Sequence, residues 1–243
     1  MKIALAQIKS VSGNISENIK RHILFIKKAI DFKTDIIVFP ELSITNYEPT
    51  LAKKLATTKN DQRFVIFQQL ANENNIIICI GVPIKIEDGI TISMLLFQPK
   101  KEVLNYAKQL LHKDELPYFI KGKEQVYITF KNQKIAFAIC YESMQEEHFI
   151  NACNRNTSIY IASVAKTEEG IQKGMIHYKS LSEKHQKDVL MVNGIGKSDG
   201  FINAEQSVVF KNGKQIAKLE KAKEGLLIFD TNSNDAQTHK ALI

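Results

Sequence analysis

Short unbroken apolar runs alternate with amphipathic stretches along most of this chain, and that alternation limits the fold more than any other feature. KIALAQI, DIIVFPE and IIICIGVPI are runs of strand length. A run that is apolar at nearly every position reads as a strand covered on both faces. Between the first two lies SENIKRHILFIKKAIDF, where Ile19, Ile23, Ile26 and Ile30 recur at helical spacing and Ser16 is the expected N-cap. DQRFVIFQQLANENN predicts a second helix. TISMLLFQP follows across the turn signal Asp88-Gly89, and VLNYAKQLL continues the sheet. Then the pattern starts again. QKIAFAIC is a strand, MQEEHFINACNRN a helix, SIYIASVA a strand, Glu168 to Lys187 a helix and VLMVNGIG a strand. QSVVFKNGKQIAKLE reads as a hairpin turning at Asn212-Gly213, and GLLIFDT as the final strand.

This order argues for an α/β protein with parallel strand pairs and helices over the sheet faces. Because the pattern runs twice, two β/α layers packed sheet to sheet, helices outside, would make a four-layer α-β-β-α sandwich. A single doubly wound sheet is the alternative. No Gly/Ser-rich or Pro-rich linker separates the halves, so residues 1–243 are read as one domain.

Several classes of function fall away. A chain of 243 residues buries enough surface to need no staples. Its three cysteines, Cys79, Cys140 and Cys153, do not suggest a disulfide framework. MKIALAQIKS lacks a signal-peptide core and no apolar run is long enough to span a bilayer, so a cytoplasmic protein without a membrane partner is expected. The net charge of +7 comes from scattered lysines rather than a block, which argues against nucleic acid as a partner. The histidines show no zinc-ligand spacing, so no metal is expected. Gly196-Lys197-Ser198 mimics the end of a phosphate-binding loop, but Met191 stands where the pattern needs glycine. No cofactor is expected.

In α/β sheets ligands bind beyond the carboxyl ends of strands, so reactive residues there carry weight. DIIVFPE ends in Glu41 and QKIAFAIC in Cys140. Lys108 interrupts the apolar stretch YAKQLL, and Glu115 follows seven residues later. Each has a plain structural reading: a loop acid, the end of a core strand, an edge lysine, an acid paired with Lys113. Together they are a carboxylate, a thiol and an ammonium beside buried strands, the inventory of a covalent acyl-transfer site.

FPELSITNY, YAKQLLHKDELPYF and IAFAICYES, in this order, resemble the three signatures of the nitrilase (carbon-nitrogen hydrolase) superfamily. The similarity extends from KIALAQI to EGLLIFDT. It implies an α-β-β-α sandwich that dimerises, the two sandwiches stacked into an eight-layer body. It also implies a Glu41–Lys108–Cys140 catalytic triad with Glu115 as a second carboxylate, acting on a small-molecule amide with water. Departures fall at Asn46, Ala107, Leu110 and MQEEHF, and no Trp follows IASVAK. The four reactive groups are retained. Tyr141 after the cysteine argues against a nitrile, and neither a synthetase extension nor membrane helices are expected. The leading expectation is an amidase that releases ammonia from a small linear amide. An N-carbamoyl-amine hydrolase or a nitrilase within the superfamily, and a non-catalytic binding protein on the same scaffold, are the alternatives. Tyr47, Tyr141, Ser163, Val164 and Asn193 are the expected pocket wall. Glu142 and the cysteines Cys79 and Cys153 are read as structural.

Overall fold

Side chains of the first strand divide between two cores, and the rest of the architecture follows from that division. In the computed structural model, which describes residues 1–153, 156–221 and 223–240, β1 (Lys2–Gln7) sends Ile3 and Leu5 to one core and Ala4 and Ala6 to another. The helix α1 (Ile15–Asp31) lies over the alanine face. Its cap differs from expectation. Asn14, not Ser16, accepts a hydrogen bond from the Glu17 N–H at 3.1 Å, which leaves Ser16 inside the first turn. The strand β2 (Ile36–Val38), the single-turn helix α2 (Ala52–Leu55), α3 (Val65–Asn74) and β3 (Ile77–Ile86) follow. The last two match DQRFVIFQQLANENN and IIICIGVPI, with Asp61 capping the 3-10 turn that leads into α3.

The chain then doubles back. The antiparallel strands β4 (Gly89–Phe97) and β5 (Leu104–Ala107) complete this side of the sheet, and β6 (Tyr127–Phe130) pairs with β7 (Gln133–Ile139) to open the second half. A 3-10 turn from Cys140 to Met144 precedes α4 (Glu146–Cys153), so Met144 and Gln145 of the expected helix lie outside the observed one; Asn154 and Arg155 of that expectation lie outside the described residues. Then come β8 (Ile159–Val164), α5 (Glu168–His185) and β9 (Asp188–Asn193). The short hairpin β10 (Ile195–Ser198) with β11 (Phe201–Ala204) follows, then the hairpin β12 (Val208–Lys211) with β13 (Lys214–Lys218), and β14 (Gly225–Asp230). GLLIFDT is not the final strand. β15 (Asp235–Lys240) pairs with it, held by main-chain bonds where the polar sequence DAQTHK offers little apolar patterning.

Among the described residues the strands form two main sheets. One runs β15-β14-β1-β2-β3-β4-β5, the other β13-β12-β9-β8-β7-β6. The parallel pairs are β1-β2-β3 and β7-β8-β9, as the repeated pattern predicts. Ile3, Leu5, Val38 and Cys79 of one sheet meet Phe137, Ile139, Ile161 and Leu190 of the other in a common core. Opposite faces are covered by helices. Ile19, Phe25 and Ile26 of α1 and Phe67 of α3 pack on the first sheet, and Phe149 of α4 and Tyr178 and Leu181 of α5 pack on the second. The result is the four-layer α-β-β-α sandwich, not the single doubly wound sheet. Among the described residues no helix is long and apolar enough to cross a membrane.

Candidate active site

The ends of β2, β5 and β7 bring Glu41, Lys108 and Cys140 together. Glu41 sits in the turn after Phe39-Pro40 and is 3 % exposed. That turn lies directly on β3. The Ile44 N–H donates to the Gly81 carbonyl at 3.0 Å, and a Cβ at position 81 would sit 2.4 Å from both Pro40 O and Leu42 N. Only glycine permits this approach. From below, His22 of α1 fixes the turn. Its Nδ1 donates to Asn18 O at 2.7 Å, and its Nε2 then accepts from the Ser43 hydroxyl at 2.9 Å. Burial lowers the His22 pKa to about 3, so the ring is neutral and that tautomer persists.

Lys108, at the end of β5, is fully buried. Its ammonium donates to Glu41 Oε1 at 2.7 Å and to Glu115 Oε1 at 2.6 Å. Desolvation pulls the Lys108 pKa down, but the Glu41 and Glu115 carboxylates, joined by Cys140 when it is a thiolate, outweigh it and hold the ammonium protonated. Glu115 also accepts from the Tyr47 hydroxyl at 3.0 Å and, through Oε2, from the His112 N–H at 2.8 Å. Its partner is therefore Lys108 rather than Lys113, and Lys108, although β5 is an edge strand, does not face water. A second glycine allows the backbone crowding here: a Cβ at Gly122 would sit 2.1 Å from Ala107 O.

Cys140 follows β7 with φ +47°, a left-handed conformation that costs a residue with a Cβ about 1 kcal/mol or more. The strain turns the side chain out of the strand and starts a 3-10 turn. The Tyr141 N–H lies in the first turn of that helix, where main-chain donors have no acceptor in their own helix. Burial first, then the charge of Glu41, pushes the thiol up to about 11, with Lys166 and Lys108 acting the other way. Burial also pushes the Glu41 carboxyl up to about 7, against the pull of Lys108 and with help from Glu115. The Cys140 thiol donates to the Ala165 carbonyl at 3.7 Å and is close enough to lower the Glu41 pKa, while Glu41 Oε2 is buried without a hydrogen-bond partner. An unpaired acceptor beside a neutral thiol is an arrangement able to receive its proton.

A cavity of about 300 Å³ opens over Cys140. Tyr47, Tyr141, Glu115, Lys166, Thr167 and Phe201 are among its walls. Ser163, Val164 and Asn193 stand behind it. The Ser163 hydroxyl donates to Phe39 O at 2.8 Å, Val164 packs in the core under α4 and α5, and the buried Asn193 holds the main chain of Lys166. Cys79 is buried between the sheets and Cys153 is half-buried on α4. Gly196-Lys197-Ser198 lies within β10, whose Lys197 carbonyl accepts from Asn46 Nδ2 at 2.9 Å. Lys166 was not evident from the sequence. Its only signal is its place just past the end of β8, the parallel neighbour of β7.

The sequence pattern of the family described as Carbon-nitrogen hydrolase matches residues 2–241. The glutamine-dependent NAD(+) synthetase of Aquifex aeolicus is 25 % identical, over 100 % of this chain and 44 % of its own length. The structure of glutamine-dependent NAD+ synthetase from Acinetobacter baumannii aligns with a TM-score of 0.85 at 22 % identity, covering 100 % of this chain and 48 % of that one. A mutant of the amidase from Nesterenkonia sp. AN1, in complex with butyramide, aligns with a TM-score of 0.86 at 19 % identity, covering 96 % and 92 % of the two chains. This chain thus spans less than half the length of the synthetases it matches.

Proposed function

The chain belongs to the carbon-nitrogen hydrolase family, and from that premise we propose that it hydrolyses a small linear amide through a thioester on Cys140, releasing ammonia. The observation that carries this reading is the buried Glu41–Lys108–Glu115 cluster, with Glu41 Oε2 unpaired and the Glu41 carboxyl within reach of the Cys140 thiol.

The chemistry follows from the hydrogen-bond inventory. Cys140 Sγ attacks the amide carbon while its proton passes to Glu41 Oε2. An ammonium has three N–H bonds, and Lys108 spends two on Glu41 and Glu115. The third, with the Tyr141 N–H, is free to meet the oxygen on which charge develops. One such donor is worth roughly 3–4 kcal/mol in the transition state. Glu41 then protonates the departing nitrogen, and ammonia leaves. A water molecule, activated by the same carboxylate, attacks the thioester and frees the acid. Glu115 orients Lys108 and the substrate amide and offsets the cost of a buried ammonium.

A second reading has one observation behind it: the likeness to glutamine-dependent synthetases over the full chain. There the amide is that of glutamine, and the ammonia serves a synthetase partner. A homodimer of stacked sandwiches belongs to either reading and is checked by light scattering.

The test is a screen of ammonia release from small amides, glutamine included, alongside intact-mass measurement after brief iodoacetamide treatment. Wild type should turn over at least one amide and gain one label. Cys140→Ala should lose both, and Cys79→Ala should keep both at a stability cost of about 1–2 kcal/mol. Turnover retained in Cys140→Ala would refute the mechanism.

A further inference from the structure

Among the described residues lining the candidate cavity, Lys166 is a charged group whose ammonium makes no ion pair or hydrogen bond. Its position is built. The Lys166 N–H donates to Asn193 Oδ1 at 2.9 Å, and its carbonyl accepts from the Ala204 N–H at 2.8 Å and from Asn193 Nδ2 at 3.3 Å. Asn193 is fully buried, so the clamp is shielded from water. The stem runs along Gly170, where a Cβ would lie 3.3 Å from Lys166 Cβ. The ammonium is within electrostatic reach of Cys140 and Glu41.

The nearby acids form their ion pairs elsewhere. Glu41 and Glu115 share Lys108, and Asp114 pairs with His112. In the first turn of α5, Glu168 pairs with Lys221 at 2.6 Å and Glu169 with Lys173 at 2.5 Å. Among the described residues no carboxylate makes an ion pair or hydrogen bond with Lys166 Nζ. Cys140 offers no counter-charge at rest, because its thiol is neutral. Desolvation lowers the Lys166 pKa, but interactions with Cys140, Tyr178 and Glu41 raise it overall, so the ammonium persists. A largely desolvated ammonium lining a cavity, with no bonded counter-ion among the described residues, favours an anionic ligand.

We propose that Lys166 determines specificity by binding a carboxylate of the substrate, which is therefore a short primary amide carrying an acid group a few bonds from the amide. This rests on the amidohydrolase reading of the site. A cavity of about 300 Å³ is at the small end of ligand pockets and suits such a molecule. The carboxylate on Lys166 sets the amide carbon over Cys140 and leaves Lys108 to the oxygen. A neutral amide of equal length lacks that anchor.

The experiment compares succinamate with butyramide, in which a methyl group replaces the carboxylate, for wild type, Lys166→Met and Lys166→Arg. Wild type should favour succinamate. In Lys166→Met the ratio of kcat/KM for succinamate over butyramide should fall roughly ten- to hundredfold, the loss of one charge-assisted hydrogen bond, and the fall should lie in KM. Lys166→Arg should restore most of it. An unchanged ratio, including an equal fall on both amides, overturns the proposal and makes Lys166 a partner of the thiol alone. Calorimetric titration of Cys140→Ala with succinamate reads the same contact without turnover. Binding that weakens tenfold or more when Lys166→Met is added supports the anion site even where wild type hydrolyses neither amide, and then only the amidohydrolase reading falls. Binding indifferent to Lys166 overturns the anion site and leaves that reading standing.

Discussion

The Lys108 ammonium lies 2.7 Å from Glu41 Oε1, and neither side chain reaches solvent. Such a pair is costly to bury and costlier to break, because removing one partner strands the other. Here the cation serves two carboxylates, since Glu115 Oε1 is 2.6 Å away on the same nitrogen.

Lys108→Ala should therefore do more than stop turnover. It leaves Glu41 and Glu115 buried without the ammonium between them, and the fold should lose roughly 3–5 kcal/mol. The loss should be smaller in acid, where the stranded carboxylates take up protons, than above neutrality. Urea unfolding of wild type and variant at two pH values checks both points. Equal stability of the two proteins at high pH would mean that the pair contributes nothing.

The reaction should have an acid limb set by Glu41. The carboxylate form accepts the thiol proton, and its pKa is raised to about 7. Below that value Glu41 is protonated and cannot act as base. kcat/KM should therefore rise with pH through about 7 and level off above it, because profiles of kcat/KM report the free enzyme's essential groups. Glu41→Gln should remove turnover. Rates on an uncharged amide such as butyramide give the profile without a titrating substrate, and an acid limb centred near 4 to 5, the ordinary carboxylate range, would rule out a raised Glu41 as the base.

Gly81→Ala should disable the site from within β3. The new Cβ would meet Pro40 O and Leu42 N at 2.4 Å, and both are backbone atoms flanking Glu41 that cannot step aside. The turn must lift, at a cost of roughly 1–3 kcal/mol or more, and Glu41 moves off Lys108 and Cys140. Activity per folded molecule should fall at least tenfold. Melting curves and active-site titration of the purified variant separate the two effects, and full specific activity would contradict the crowding.

Legibility in the sequence tracked how strongly each feature was patterned. β1, β2, β3, β7, β8 and β9 are nearly all apolar because they are covered on both faces, and their polar ends exposed Glu41 and Cys140 as exceptions. β6, β11 and β15 were invisible, and β10 merged with β9 in VLMVNGIG, because short edge strands and hairpins rest on main-chain pairing. Asn14 displaced Ser16 as the cap since both are good N-cap residues and only the register of the turn decides. Lys166 looked like any other lysine in a chain with 33 basic residues, and its meaning comes from the tip of the strand beside β7. Gly81 carried a signal, an isolated glycine inside an apolar strand, which marks a close backbone approach.

Glu142, two residues past the thiol, is the last group whose role can be tested. It is fully buried and takes four donors: the Tyr106 hydroxyl at 2.5 Å, the Ile139 N–H at 2.7 Å, the Gln109 N–H at 2.6 Å and the Leu110 N–H at 3.2 Å. Ile139 precedes Cys140, and Gln109 follows Lys108. One carboxylate therefore ties the nucleophile's turn to the loop that leaves the lysine. Its burial raises its pKa, and hydrogen bonds from Tyr106, Ile139 and Gln109 oppose that rise. Glu142→Gln keeps the shape but turns an acceptor into an NH2 group that faces N–H donors, leaving at least one of them unpaired. The cost should be about 1–3 kcal/mol, typical of a buried group left unsatisfied. Because Glu142 holds positions and does not touch substrate, kcat should fall while iodoacetamide still labels Cys140. Thermal melts with labelling rates and kinetics on one amide decide it: a variant that melts as wild type does and keeps its kcat would show that the two loops hold their places without this carboxylate.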